Sequence, residues 1–202
     1  MTDEQQNRSE KHVDAVLQQR FANILKYLSK QHLLVYALLF IIIFAGFYIR
    51  IQNVSRLVDE TTGDYMPGDP DALAFFRYAQ DVLEHGSVPE FDSLRYYPYG
   101  YHQVGEFSFL AHTIVLLYRF LHTFNSDVTL GYADIIYPPI AFGFALLFFF
   151  LFVRRIFDSN VVAIFSTALL AVNKSFLFRT MAGISDKEAL AIFLFFLTFY
   201  LY

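Results

Sequence analysis

The chain has 202 residues, 56% of them apolar and 19% aromatic, a composition that excludes an ordinary soluble domain and a disordered tail. Its formal net charge of −4 gives nucleic acid binding no support, and the absence of cysteine removes disulfides, thiolate metal sites and cysteine nucleophiles. The polar first 32 residues lack the h-region of a cleavable signal peptide.

Residues 1–32 read as a cytoplasmic amphipathic N-terminus, in which Val13, Val16, Leu17, Phe21, Ile24, Leu25 and Leu28 recur near helical spacing. The uncharged run from Leu33 to Ile49 then predicts a first transmembrane helix over 33–51. Arg20, Lys26 and Lys30 place its start inside by the positive-inside rule, although Arg50 and Arg56 weaken the asymmetry.

Residues 52–134 form a single external loop on this reading. Asp69 as N-cap and Pro70 at the first helical position start a helix over 70–85, which Gly86 ends. Ala72, Phe75, Phe76, Ala79, Val82 and Leu83 line one face of it, so it lies on the membrane or on a neighbouring helix. Tyr96-Tyr97-Pro98-Tyr99-Gly100-Tyr101 follows as an aromatic turn suited to the interface. The segment 105–123 holds Glu106, His112, Arg119 and His122. Ser108, His112, Arg119 and His122 share one stripe, the pattern of an interfacial helix rather than a span.

A second span covers 135–153 and ends in Arg154-Arg155, which belongs inside. A third runs over 161–178, with Asn173 and Lys174 as polar interruptions. Residues 179–188 are an external loop, and 189–202 begin a fourth span. The last stretch falls short of the roughly 20 residues a span needs, so the chain reads as the N-terminal part of a larger protein, cut in mid-helix.

Two acidic clusters, Asp69-Pro70-Asp71 and Asp186-Lys187-Glu188, thereby share the external face. Carboxylates beside hydrocarbon are costly and mark candidate functional positions. Capping accounts for part of each cluster: Asp69 and Asp71 suit a helix start, and Ser185 with Glu188 fits a capping box. It does not explain why an acid-x-acid pair recurs at two external helix starts. Mg²⁺ or Mn²⁺ favours carboxylate oxygens together with substrate phosphate and water. In a non-helical turn both acids of a pair converge on one ion, which stabilises a departing phosphate. Arg179 is either a contact for a lipid phosphate or an interfacial arginine snorkelling to headgroups. His102 and Glu106 are candidate extra ligands, although a lone interfacial histidine is usually not one. Asn53-Val54-Ser55 is a glycosylation-type triplet close to the membrane, a pattern common by chance.

The stretch Arg179-Thr180-Met181-Ala182-Gly183-Ile184-Ser185-Asp186-Lys187-Glu188-Ala189 closely resembles the second acidic motif of oligosaccharyltransferase catalytic subunits of the archaeal AglB and bacterial PglB type. Asp71 with Ala74, Phe75 and Arg77 resembles the first external loop motif of that family, and Tyr97-Pro98-Tyr99-Gly100 its Tyr-Pro-x-Gly element. The resemblance covers about 150 residues, from the first span onward. It implies an all-α polytopic membrane protein with the glycosyltransferase type C (GT-C) fold. It further implies transfer of a glycan from a dolichol-linked phosphate or diphosphate donor to Asn of an Asn-x-Ser/Thr polypeptide acceptor. By the same resemblance Asp71 contacts the acceptor amide and the metal, Asp186 and Glu188 are metal ligands, and Arg179 lies near the lipid phosphate. The chain has no tryptophan, and so lacks the family's Trp-Trp-Asp-Tyr-Gly acceptor-recognition motif; the later external loop with its catalytic Glu is missing too. It is expected to hold half an active site and to be inactive alone. The competing expectations are another GT-C enzyme using a polyprenyl-phosphate sugar, such as a protein mannosyltransferase, and a truncated, non-catalytic membrane assembly subunit.

Overall fold

The computed structural model describes residues 30–102 and 108–202. The amphipathic N-terminal helix expected before residue 30, Glu106 and the first residues of the 105–123 segment lie outside them. The chain divides into two compact units, residues 1–41 and 42–202.

Seven α-helices and one short hairpin follow in order among the described residues. Helix α1 (Lys30–Arg50) contributes the described part of the first unit and opens the second. Helix α2 spans Pro70–His85, strands β1 and β2 span Phe91–Asp92 and Tyr101–His102, and α3 spans Phe109–Phe124. Helices α4 (Leu130–Phe157), α5 (Asn160–Val172), α6 (Lys174–Arg179) and α7 (Lys187–Leu201) complete the second unit. Two helical segments, His32–Arg56 and Leu130–Phe157, are long and apolar enough to cross a membrane. Helix α3 has 16 residues, about 24 Å at 1.5 Å per residue, which is short of a ~30 Å hydrocarbon core.

Helix α4 is the centre of the second unit. Tyr137 and Ala141 pack against Tyr78, Ala79 and Val82 of α2, Leu110, Ala111 and Ile114 of α3, and Ala189 and Leu190 of α7. Further along, Phe142, Ala145 and Leu146 meet Ala171 of α5 and Phe196 of α7. Helix α2 therefore lies with α3 against the start of α4, because its apolar stripe needs cover.

Several boundaries differ from those the sequence predicts. Helix α4 is longer than 135–153 because Thr129 caps it, its hydroxyl accepting from the Tyr132 amide at 3.1 Å. The predicted span over 161–178 is two helices, since Asn173 leaves the helical path and its side chain accepts from the Ser175 amide at 3.0 Å. The aromatic turn is the tip of an antiparallel hairpin in which Phe91 pairs with His102 and Asp92 with Tyr101. Asn53 is tied inward, its amide donating to the Ala182 carbonyl at 2.8 Å.

Candidate active-site cleft

Asp71 and Asp186 come from distant parts of the chain, yet they line one cleft of about 150 Å³ with Ala74, Phe75, Tyr78, Arg95 and Lys187. Each acid arrives there through local backbone chemistry. The Asp69 carboxylate accepts from the Asp71 amide at 2.9 Å, so Asp69 is the cap and the exposed Asp71 side chain sits in the first turn of α2. Gly86 ends that helix with φ of 83°, the left-handed conformation that glycine adopts without a Cβ penalty.

At the second cluster Asp186, not Ser185, is the N-cap, and its carboxylate accepts from the Lys187 amide at 2.6 Å. The Ser185 hydroxyl instead donates to Asp134 at 2.6 Å, so the capping box predicted for Ser185 and Glu188 does not form. The segment before Asp186 is held on several sides. The amides of Ala182 and Gly183 donate to the carbonyls of Arg50 and Ile135 at 3.0 and 2.9 Å, and the Gly68 amide donates to the Gly183 carbonyl at 3.0 Å. Gly183 has φ of 81°, and a Cβ there would meet Leu57 at 2.6 Å, so glycine is needed for conformation and for space. The Tyr137 hydroxyl donates to the Asp186 carbonyl at 3.0 Å and accepts from the Leu190 amide at 3.1 Å, locking the start of α7 to α4.

Arg95 and Tyr78 were not legible as site residues in the sequence. The buried Asp92 carboxylate organises both: it pairs with Arg77, accepts from the Tyr78 hydroxyl at 3.1 Å, and takes the Leu94 and Arg95 amides at 3.0 and 3.2 Å. The Arg95 guanidinium lies over the Tyr101 ring at 4.3 Å and donates to the Tyr78 hydroxyl at 3.4 Å. The cleft thus has two acids, two basic side chains and an aromatic wall, the chemistry of a site for a charged, polar ligand.

The remaining predicted residues do not line this cleft. Glu188 meets Arg179 at 3.4 Å. Burial holds the Glu188 carboxyl above the ordinary carboxylate range, with the adjacent Asp186 adding to the shift and Arg179 opposing it. One Glu188 oxygen, Oε2, is buried without a hydrogen-bond partner. His102 is exposed on β2 with its ring 4.8 Å from that of Phe91, so the structure does not bring it to the two acids. Among the described residues no three acid or histidine side chains converge on one point.

A helical membrane protein that gathers acids from two separate loops beside the start of a long span has the layout of the GT-C glycosyltransferase fold. The chain belongs to the oligosaccharyl transferase STT3 family, whose N-terminal model matches residues 63–202. It is 28% identical over 158 residues to a dolichyl-phosphooligosaccharide-protein glycotransferase of Methanococcus voltae, covering 73% of this chain and 17% of that protein. It is 29% identical over 182 residues to the dolichyl-diphosphooligosaccharide–protein glycosyltransferase subunit STT3B of Oryza sativa subsp. japonica, covering 88% and 24%. The chain thus spans about a fifth of the length of these relatives. Two solved structures of the Archaeoglobus fulgidus oligosaccharyltransferase share the fold with TM-scores of 0.62. One, with zinc and sulfate, is 23% identical over 81% of this chain and 20% of its own. The other, with an inhibitory peptide and a dolichol-phosphate, is 21% identical over 86% and 19%. Family membership sets aside the expectation of a different GT-C enzyme such as a protein mannosyltransferase.

Proposed function

We propose that the chain forms the membrane part of an active site that transfers a glycan from a dolichol-linked phosphate or diphosphate donor to Asn of an Asn-x-Ser/Thr polypeptide. The observation that carries this reading is the cleft shared by Asp71 and Asp186. The names of the relatives support the reaction. Asp71 and Asp186 would hold a divalent cation, Mg²⁺ or Mn²⁺, with Glu188 beside them as the third ligand that would turn toward the ion on binding. Such ions bind through one or two carboxylates plus substrate phosphate and retained water, which suits two cleft acids and a neighbouring unpartnered carboxylate oxygen. When bound, the ion supplies charge neutralisation at the departing phosphate. Asp71 accepts a hydrogen bond from the acceptor amide, and Arg179 contacts the lipid phosphate. His102 is not in this ligand set, because it sits against Phe91. These 202 residues have no Trp, so a tryptophan-containing acceptor-recognition motif is not among them, and the chain alone is inactive on this reading.

The test is transfer in membranes carrying the protein expressed from its entire reading frame, with a dolichol-linked donor and an Asn-x-Thr peptide. Transfer is expected to cease with a divalent chelator and to return with Mn²⁺ or Mg²⁺. Transfer that persists in the chelator sinks the metal assignment. Complete inactivity, with a frame that ends at Tyr202, favours the assembly subunit instead.

The cleft faces outside in this reading. Asp134 and Tyr137, at the start of α4, hold the Asp186 segment, whereas Arg154 and Arg155 sit at the opposite end of the same helix. By the positive-inside rule the arginine end is cytoplasmic. Single cysteines replacing Ser126 and Ser159 are expected to label from opposite sides, Ser126→Cys from outside. Labelling of Ser159→Cys from outside overturns this orientation.

A further inference from the structure

Asp134 is the one carboxylate among the described residues with no exposed surface at all. It lies in α4, close to one turn before Tyr137. Its Oδ2 accepts from the Ser185 hydroxyl at 2.6 Å, and its Oδ1 is buried with no hydrogen-bond partner. A buried carboxylate with one oxygen unsatisfied is a costly side chain to place here. Its location explains its use. Ser185 immediately precedes Asp186, and because the peptide between them is planar, only ψ of Ser185 and φ of Asp186 separate the two, so anchoring Ser185 restricts where the Asp186 backbone can lie. The Asp186 backbone is therefore held from both sides by one helix: Asp134 through Ser185, and Tyr137 through the Asp186 carbonyl. That double hold keeps Asp186 extended, with φ −95° and ψ 175°, and directs its carboxylate to the cleft.

We infer that Asp134 is a positioning residue that sets the Asp186 carboxylate for cation binding through its hydrogen bond to Ser185. The inference rests on the reading of Asp186 as a metal ligand. It is tested on the full chain in lipid nanodiscs by Mn²⁺ titration followed by electron paramagnetic resonance. Outer partners of metal ligands typically change affinity 10–100-fold, so Asp134→Ala and Ser185→Ala are each expected to weaken Mn²⁺ binding by roughly 10-fold. The double variant binds no more weakly than either single one, because both remove the same link. Asp134→Asn, whose amide oxygen still accepts from Ser185, stays within about 3-fold of the wild type. Unchanged affinity in Ser185→Ala, or fully additive losses, overturns the inference even if Asp134→Ala fails to fold.

A second readout needs no metal. The chain has no native cysteine, so Asp186→Cys reports the position of this side chain by its rate of maleimide labelling. That rate is expected to rise about 10-fold on adding either Ser185→Ala or Asp134→Ala, as the segment opens locally, and to be unchanged on adding Asp134→Asn. Absence of Mn²⁺ binding by the wild type removes the metal reading, while the labelling comparison still decides whether Asp134 positions residue 186. Equal rates with and without Ser185→Ala overturn the positioning role.

Discussion

Asp71→Ala is expected to lower glycan transfer by at least roughly 10²–10³-fold, the scale of losing one group that stabilises developing charge, while leaving α2 folded. The two acids of the first cluster separate the roles cleanly. The helix cap is Asp69, whose carboxylate accepts from the Asp71 amide at 2.9 Å. Asp71 contributes to the helix only as a negative charge in its first turn, worth about 0.3–1 kcal/mol at an exposed site. Its side chain instead enters the cleft with Asp186. The complementary variant, Asp69→Ala, loses a cap worth about 0.5–2 kcal/mol and should keep most of its transfer activity. Both are measured on the protein from its entire reading frame, with thermal unfolding in nanodiscs beside the transfer rate. Near-normal transfer by Asp71→Ala, with a lowered unfolding temperature, reduces Asp71 to a helix stabiliser.

The ends of α2 were readable in the sequence because capping is local chemistry, whereas capping suited both acids and only the family resemblance singled out Asp71 for the site. Asp69, Pro70 and Gly86 mark the ends of α2, and the helix observed is Pro70–His85, as predicted. The association of Asp71 with Asp186 follows from a longer argument, in which 105–123 lies along the membrane and both acidic loops share one side. Helix α3 is short enough for that arrangement. Where side chains change partners across the fold, sequence patterns were blind. Ser185 looked like a cap and is a donor to Asp134. Arg95 carried no signal beyond its place beside an aromatic turn, yet Asp92 and Tyr101 bring it to the cleft. Asn173 was visible as an interruption, but its power to start a new helix depends on its side chain reaching the Ser175 amide. Arg50 misled most. It entered the sequence argument as a flanking charge that weakened the inside-outside bias, whereas the folded chain buries it completely. A hydropathy window counts its charge and cannot see what surrounds it.

That burial gives Arg50 the largest expected effect on stability: Arg50→Ala is expected to cost about 3–5 kcal/mol, the range for stripping a large buried side chain from a hydrogen-bonded site. Its guanidinium donates from Nε to the Thr180 hydroxyl at 2.7 Å and from Nη1 to the Gly46 and Ala171 carbonyls, both at 2.9 Å. It also lies 3.7 Å from the Phe142 ring centroid, a cation–π contact in a water-poor setting. The Ala171 carbonyl is at the end of α5, where helical acceptors lose their partners and the dipole is negative, so the cation there acts as a C-terminal cap. Volume and hydrogen bonding can be separated. Arg50→Met keeps most of the packing and removes the cost of burying charge, but leaves the Ala171 carbonyl without this donor. The Thr180 hydroxyl still donates to Phe176 at 2.6 Å, so only one group is orphaned. Arg50→Met should therefore lose about 1–3 kcal/mol, less than alanine. The damage reaches the site as well, because the Arg50 carbonyl receives the Ala182 amide and Asn53 holds the Ala182 carbonyl, both just upstream of Asp186. Faster proteolysis of the 180–186 segment should accompany the lower unfolding temperature of Arg50→Ala. An unfolding temperature equal to the wild type would show that the buried guanidinium is not what joins α1, α5 and the loop that carries Asp186.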